Sequence, residues 1–261
     1  NKKKIIFIDN YYGNKIYSIL KNENNNKIKT VSLNNINADY YSSNIEYTKN
    51  GINFIVNSKY GIKKVSTKLY GEFSVTNILI TIATLVNNKK EYNFFTDNMM
   101  YLKPLDGRMQ KLKKKNNPTV FIDFAHTPDA VKKVLLSVKK HFPDHEITTI
   151  FGCGGDRDKS KRKIMGEIID KYSNNIIVTN DNPRNEDQNV IANNIISGIK
   201  ESSNFSIILD RRKAIKNSLN KKFLNNIIMI LGKGHETHQI INNKSITLND
   251  KDEVLKAFKS Q

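Results

Sequence analysis

Four short segments concentrate the residue types that can hold and orient a charged small molecule. The first is Asp181-Asn182-Pro183-Arg184. A carboxylate, an amide and a guanidinium within four residues can grip a ligand bearing both an ammonium and a carboxylate, which describes an amino acid. A plainer reading is open at this point: a proline turn whose Asn and Asp cap the next helix. The second segment, Asp123-Phe124-Ala125-His126-Thr127-Pro128-Asp129, joins a carboxylate able to accept from ribose hydroxyls to a histidine able to reach a phosphate. Its Thr-Pro-Asp portion alone reads as a helix start, with Thr127 as cap and Pro128 in first position. The third, Gly152-Cys153-Gly154-Gly155-Asp156-Arg157, lets backbone approach a ligand closely and adds a guanidinium able to fork onto a carboxylate or phosphate. Cys153 could be a nucleophile, but no base stands beside it in sequence, and a small packing residue is the better account. The fourth, Gly232-Lys233-Gly234-His235-Glu236, offers Glu236 as a partner for an ammonium. None of the four carries the G-x-x-x-x-G-K-[ST] phosphate loop or the G-x-G-x-x-G dinucleotide fingerprint.

Each segment follows a strand-like apolar run: 119–124, 147–151, 175–179 and 227–231. Helical patterns follow at 129–141, 161–172 and 190–202. Another pair, 206–209 and 212–220, extends the series, which ends in a hairpin around Asn242-Asn243 and a helix at 252–258. Repeated β-α units predict a mainly parallel sheet with helices on both faces and ligand loops at the strand C-terminal ends. Upstream, strand-like runs at 5–8, 29–32, 45–48, 52–56 and 64–69 precede helical patterns at 76–86 and 94–102. Residues 106–118, polar, basic and closed by Pro118, read as a linker.

With 261 residues and 38% hydrophobic content, the chain can form one large or two ordinary domains. Its net charge of +18 comes from lysines scattered among Asn and Ile. The one dense cluster, 111–115, lacks the interleaved aromatics of a base-stacking surface, so nucleic acid is discounted as a partner. A single Cys excludes an intrachain disulfide and fits a reducing cytoplasm. No apolar run reaches the roughly 18 residues of a membrane span, so no membrane partner is expected. The opening Asn1 and an almost immediate strand suggest a piece of a longer protein.

Taken together and in this order, the four segments resemble the C-terminal part of the Mur ligases. Two more segments agree: Gly71-Glu72-Phe73-Ser74-Val75-Thr76-Asn77 is similar to the family's G-x-F-N-x-x-N, and Asp106-Gly107-Arg108-Met109-Gln110 to its G-R-M-[EQ]. The resemblance covers nearly the whole chain. It implies an α/β fold in which residues 1–106 are the end of a central ATPase domain and 107–261 a Rossmann-like C-terminal domain. It further implies that the UDP-sugar domain, the triphosphate loop, the magnesium ligands and a carbamylated lysine lie outside this chain.

The activity implied is ATP-dependent amide-bond formation in peptidoglycan synthesis. Meso-2,6-diaminopimelate would be joined to UDP-N-acetylmuramoyl-L-alanyl-D-glutamate through an acyl phosphate, with ATP and Mg2+, by a cytoplasmic monomer. This chain alone would be inactive, with neither a catalytic residue nor a metal ligand of its own. Carried over residue by residue, Asn77 matches an adenine contact, Arg108 and Asp123 match contacts near ribose and phosphates, and His126 matches a residue beside the nucleotide. Arg157, Asp181, Asn182, Pro183, Arg184, Gly232 and Glu236 match the diaminopimelate pocket. There Arg184 would clamp the distal carboxylate, while Asp181 and Glu236 would receive the distal ammonium. Ser74, Phe124, Ser160 and Asn180 depart from the family's usual residues. The alternatives are a lysine-adding or folylpolyglutamate ligase of the same superfamily, or a non-catalytic basic binding module.

Overall fold

The structure, a computed structural model, describes residues 3–22, 27–219 and 225–259. It divides into two compact units, Asn1–Lys103 and Pro104–Gln261.

In the first unit, strands β1 (Lys4–Phe7), β2 (Ile28–Ser32), β3 (Tyr40–Thr48), β4 (Gly51–Ser58) and β5 (Gly61–Thr67) form one sheet in that order. β1, β2 and β3 pair parallel, and β4 and β5 return antiparallel. A parallel pair needs a crossover, and helix α1 (Tyr11–Asn22) supplies it between β1 and β2. Sequence reasoning placed no helix there. The Asn10 side chain accepts from the Gly13 amide at 2.8 Å and caps the helix. Helices α2 (Glu72–Leu85) and α3 (Lys89–Asp97) contribute Val75, Leu79, Ile82 and Tyr92 to a core with Val31, Tyr40, Phe54 and Val56. The helix expected at 94–102 therefore begins earlier and ends earlier. Asn88 caps it by accepting from the Glu91 amide, and a separate 3-10 turn, Met99–Tyr101, follows.

In the second unit, β6 (Gln110–Leu112), β7 (Thr119–Asp123), β8 (Ile147–Phe151), β9 (Asn175–Val178), β10 (Phe205–Ile207) and β11 (Ile227–Leu231) form a sheet ordered β10-β9-β8-β11-β7-β6. All pairs are parallel except the β6 edge. β7, β8 and β11 are buried along their whole length, and β11 accordingly reads as an unbroken apolar run. The expected linker contains β6, whose Gln110–Leu112 pair with Val120, Phe121 and Ile122.

Helices α4 (Pro128–His141), α5 (Ser160–Tyr172) and α6 (Gln188–Ile196) pack against one another in succession. α7 (Arg211–Ser218) and α8 (Asp250–Lys259) pack together, setting Ala214, Ile215, Val254 and Phe258 against Val120, Ile150, Ile228 and Ile230 of the sheet. As the sequence indicates, Thr127 caps α4 and Pro128 opens it. Helix α6 stops at Ile196, short of residue 202. The end of the helix expected at 212–220 falls at residue 220, outside the described residues. The hairpin β12 (His238–Ile241) and β13 (Lys244–Thr247) turns through Asn242 and Asn243, both left-handed at φ 48° and 59°. Among the described residues, no helix is long and apolar enough to cross a membrane.

One consequence of the strand order positions the site. β9, β8, β11 and β7 are successive neighbours. The four chemistry-bearing loops therefore emerge side by side along one edge of the sheet, although β11 comes last in sequence.

Candidate functional site

At that edge lies a cavity of about 370 Å³, a size suited to a small amino acid. Arg157, Asp181, Asn182, Arg184, Gly232 and Glu236 all line it, as does His126. Pro183, Arg108 and Asp123 do not line it. Asn77 stands in the other unit, at an exposed position of α2.

The turn after β9 is fixed by backbone. Arg184 is left-handed at φ 53°; its amide donates to Ile240 O at 3.0 Å and its carbonyl accepts from Asn242 N at 2.7 Å. The hairpin thus fastens to the turn. Asp187, not Asp181 or Asn182, caps α6 by accepting from Asn189 N at 2.7 Å. The plainer reading of the tetrapeptide as a helix cap is therefore excluded. The loop after β8 crosses the turn backbone against backbone: Gly155 N donates to Asn182 O at 2.9 Å. A Cβ on Gly155 would lie 1.9 Å from Pro183 O, so only glycine fits there.

Arg184 Nη1 donates to Gly155 O at 2.7 Å, while Nη2 and Nε have no protein partner among the described residues. The guanidinium therefore keeps donors available on the cavity side. Asp181 lines the same cavity, and its carboxylate accepts no hydrogen bond among the described residues. Burial pushes its carboxyl above the ordinary range, against the pull of Arg211 and Lys233. Gly232, at φ 109°, allows this packing, since a Cβ would lie 2.6 Å from Asp181 Oδ2.

Glu236 is already engaged through one oxygen. Its Oε2 accepts from Asn182 Nδ2 at 3.0 Å and from Lys233 Nζ at 2.8 Å. Although burial opposes it, these two donors hold the carboxyl below its ordinary value.

On the other flank, Asp123 is buried and both of its oxygens are committed: Oδ2 accepts from Met109 N and Oδ1 from Ala125 N, each at 2.8 Å. It clips the segment that carries Arg108 onto the end of β7. The Arg108 guanidinium lies over the Phe124 ring at 4.7 Å, and Phe124 also packs edge-on against His126 at 4.7 Å. Cys153 is buried, and burial pushes its thiol up to about 12, so it packs as a neutral thiol at the cavity wall.

Three buried cations brace these loops, and sequence reasoning assigned a structural role to none of them. Arg162 forks onto Glu186, which also accepts from Asp156 N at 3.1 Å. Arg211 forks onto Asp250 at 2.7 and 2.8 Å and donates to Leu231 O at 3.0 Å. Lys233 is the third. Arg162 shares a face with buried Met165, Gly166 and Ile169, and that i, i+3, i+4, i+7 spacing was a usable signal. Arg211 shares the same spacing with buried Ala214, Ile215 and Ser218, whereas Lys233, alone between glycines, offered none.

A metal fits this donor set poorly: among the described residues no three His, Cys, Asp or Glu side chains stand together to hold an ion.

Comparison with known proteins adds an independent line. The family profile described as the Mur ligase middle domain matches residues 1–85, and that of the Mur ligase glutamate ligase domain matches 107–234. A relative from Buchnera aphidicola (Acyrthosiphon pisum), the UDP-N-acetylmuramoyl-L-alanyl-D-glutamate--2,6-diaminopimelate ligase, is 40% identical across 97% of this chain and 52% of its own length. A solved structure of a ligase of that name superposes with a TM-score of 0.69 at 34% identity, covering 98% of this chain and 53% of the other. A folylpolyglutamate synthase from Thermotoga maritima gives a TM-score of 0.62 at 17% identity over 85% of this chain and 49% of its own, a likeness of fold alone. The chain spans about half the length of the relatives it matches.

Proposed function

The chain belongs to the Mur ligase family, and on that premise we propose that its second unit holds the amino acid in an ATP-dependent, diaminopimelate-adding ligase. In the reaction proposed for the whole protein, ATP transfers its γ-phosphoryl group to the terminal carboxylate of UDP-N-acetylmuramoyl-L-alanyl-D-glutamate. An amine of meso-diaminopimelate attacks the acyl phosphate, phosphate leaves, and the amine loses its proton as the amide forms. Peptidoglycan synthesis in the cytoplasm is the setting.

The observation that carries this reading is the pairing of Asp181 with Arg184 in one cavity. An unbonded carboxylate and a guanidinium with spare donors complement an ammonium and a carboxylate on one carbon. Meso-diaminopimelate has such a group at each end. Gripping the distal end leaves the other amine free to project, so the cavity contributes orientation and not bond-making. Asn182, Gly232 and Glu236 complete the grip, Pro183 shapes the turn, and Arg157 at the exposed rim adds positive charge for the ligand's carboxylate. Lysine lacks the distal carboxylate and would leave Arg184 facing nothing, a mismatch that discriminates strongly.

On the nucleotide side we assign Asn77 to the base, and Arg108 and His126 to the phosphates. Asp123 acts there by clipping the Arg108 segment in place. Magnesium is given no role through these residues, because their donor set does not suit it.

Calorimetric titration of the chain tests the proposal. Binding of meso-diaminopimelate well above that of L-lysine is expected; equal affinities would overturn it.

A further inference from the structure

We infer that Lys233 is a positioning residue: its buried ammonium orients Asn182 and Glu236 and cancels one carboxylate charge, so that the cavity accepts a single ammonium group. This rests on the amino-acid reading above.

The Lys233 side chain has no exposure, and three acceptors surround its ammonium: Asn182 Oδ1 at 3.1 Å, Glu236 Oε2 at 2.8 Å and His238 O at 2.7 Å. Every donor of the ammonium is used. Asn182 Oδ1 also accepts from Ile240 N at 3.0 Å, so its Nδ2 necessarily faces Glu236. Glu236 Oε2 is thereby saturated, and Oε1 is left for the cavity. One side chain thus joins the loop after β11, the turn after β9 and the start of β12.

Its electrostatic role follows from the neighbours. Three carboxylates line the cavity: Asp181, Glu236 and, exposed at the rim, Asp158. Arg211 faces Asp181 from α7, but its charge is matched by Asp250 from α8. Arg184, Arg157 and Lys161 also line the cavity, Lys161 donating to His126 O at 3.0 Å, and Cys153 beside Asp181 is neutral. His235 stands beside Glu236, and His126 lines the rim. Lys233 remains as the counter-ion of Glu236. Without it, one ammonium ligand would have to satisfy both Asp181 and the half-buried Glu236, and one of the two would hold a proton instead.

The test is calorimetric binding of meso-diaminopimelate to the whole chain between pH 5 and 8, comparing wild type, Lys233→Met, Lys233→Arg and Glu236→Gln. Lys233→Met is expected to weaken binding about tenfold at pH 7. It is also expected to move the acid limb of binding up by about one pH unit, because two uncompensated carboxylates share a proton. Lys233→Arg keeps the limb near its wild-type position, and Glu236→Gln moves it down, since Lys233 then faces Asp181 alone. A uniform loss at every pH for Lys233→Met, with the limb unmoved, would overturn the inference in favour of simple packing. If Lys233→Met does not fold, an unmoved or raised limb in Glu236→Gln overturns it. Wild type that binds no diaminopimelate overturns the amino-acid reading and this inference together; normal wild-type binding with unmoved limbs overturns this inference alone.

Discussion

Arg162 holds the Glu186 carboxylate with both terminal nitrogens, Nη1 to Oε1 and Nη2 to Oε2, each at 2.7 Å. The same guanidinium donates to Gly154 O at 3.2 Å. Glu186 lies just beyond the Asp-Asn-Pro-Arg turn, so this pair locks the glycine loop to the turn beneath the cavity. Hydrogen bonds from Arg162 bring the Glu186 carboxyl down from 4.5 to about 2. A lowered carboxyl stabilises the fold above its unfolded value and loses that contribution as pH falls through the folded one. Acid unfolding followed by circular dichroism should show wild type losing stability between pH 4.5 and about 2, with Glu186→Gln less stable at pH 7 and flatter across this window.

The Asp123 clip has a local signature. Asp123→Ala leaves the buried Met109 amide without its acceptor, at a cost of about 2 kcal/mol. Hydrogen exchange at Met109 and its β6 neighbours is expected to accelerate, while β8 and β9 amides keep their relative order of protection. Uniform acceleration across the sheet would mean that Asp123 serves global stability and not this segment.

Gly232 tests the packing of Asp181. Alanine there must adopt φ 109° and place its Cβ 2.6 Å from Asp181 Oδ2. Gly232→Ala is predicted to cost about 2 kcal/mol in denaturant unfolding and to reduce diaminopimelate affinity about tenfold. Unchanged affinity would show that the Asp181 carboxylate is not held against this glycine.

Asp181 sets a pH dependence. Burial raises its carboxyl, so it takes up a proton at a higher pH than an ordinary carboxylate. Only the ionised form attracts an ammonium. Diaminopimelate affinity is therefore expected to fall with decreasing pH earlier than for a solvent-exposed carboxylate, and Asp181→Asn is expected to abolish that acid limb along with most of the affinity. Titrations across pH with both proteins check this.

Much of the second unit could be read from sequence because its central strands are buried on both faces and stand out as apolar runs, as in Ile227–Leu231. Thr127-Pro128 marked its helix start for the same local reason. What sequence hid was spatial. Nothing in residues 227–231 says that this last strand inserts between β7 and β8, yet that insertion brings Glu236 to Asp181. Long cations are hard to place as well: Arg162, flanked by Lys161 and Lys163, is fully buried. Asp123 read as a free acceptor, since only the fold reveals the two amides that occupy it.

The phosphate chemistry gives a negative prediction. Because the chain carries no G-x-x-x-x-G-K-[ST] loop, purified residues 1–261 are expected to form no ATP-dependent product from diaminopimelate and the UDP-linked dipeptide. Product detected by chromatography would contradict the assignment of that chemistry to residues outside this chain.

The central claim is that Arg184 and Asp181 together recognise the distal end of diaminopimelate, where lysine has an ammonium but no carboxylate. Its most direct measurement is the affinity ratio of meso-diaminopimelate to L-lysine for wild type and for Arg184→Ala. The account predicts a preference of about a hundredfold in wild type, collapsing towards unity in the variant through loss of diaminopimelate affinity alone. A wild-type ratio near unity, or a preference that survives in Arg184→Ala, would contradict it.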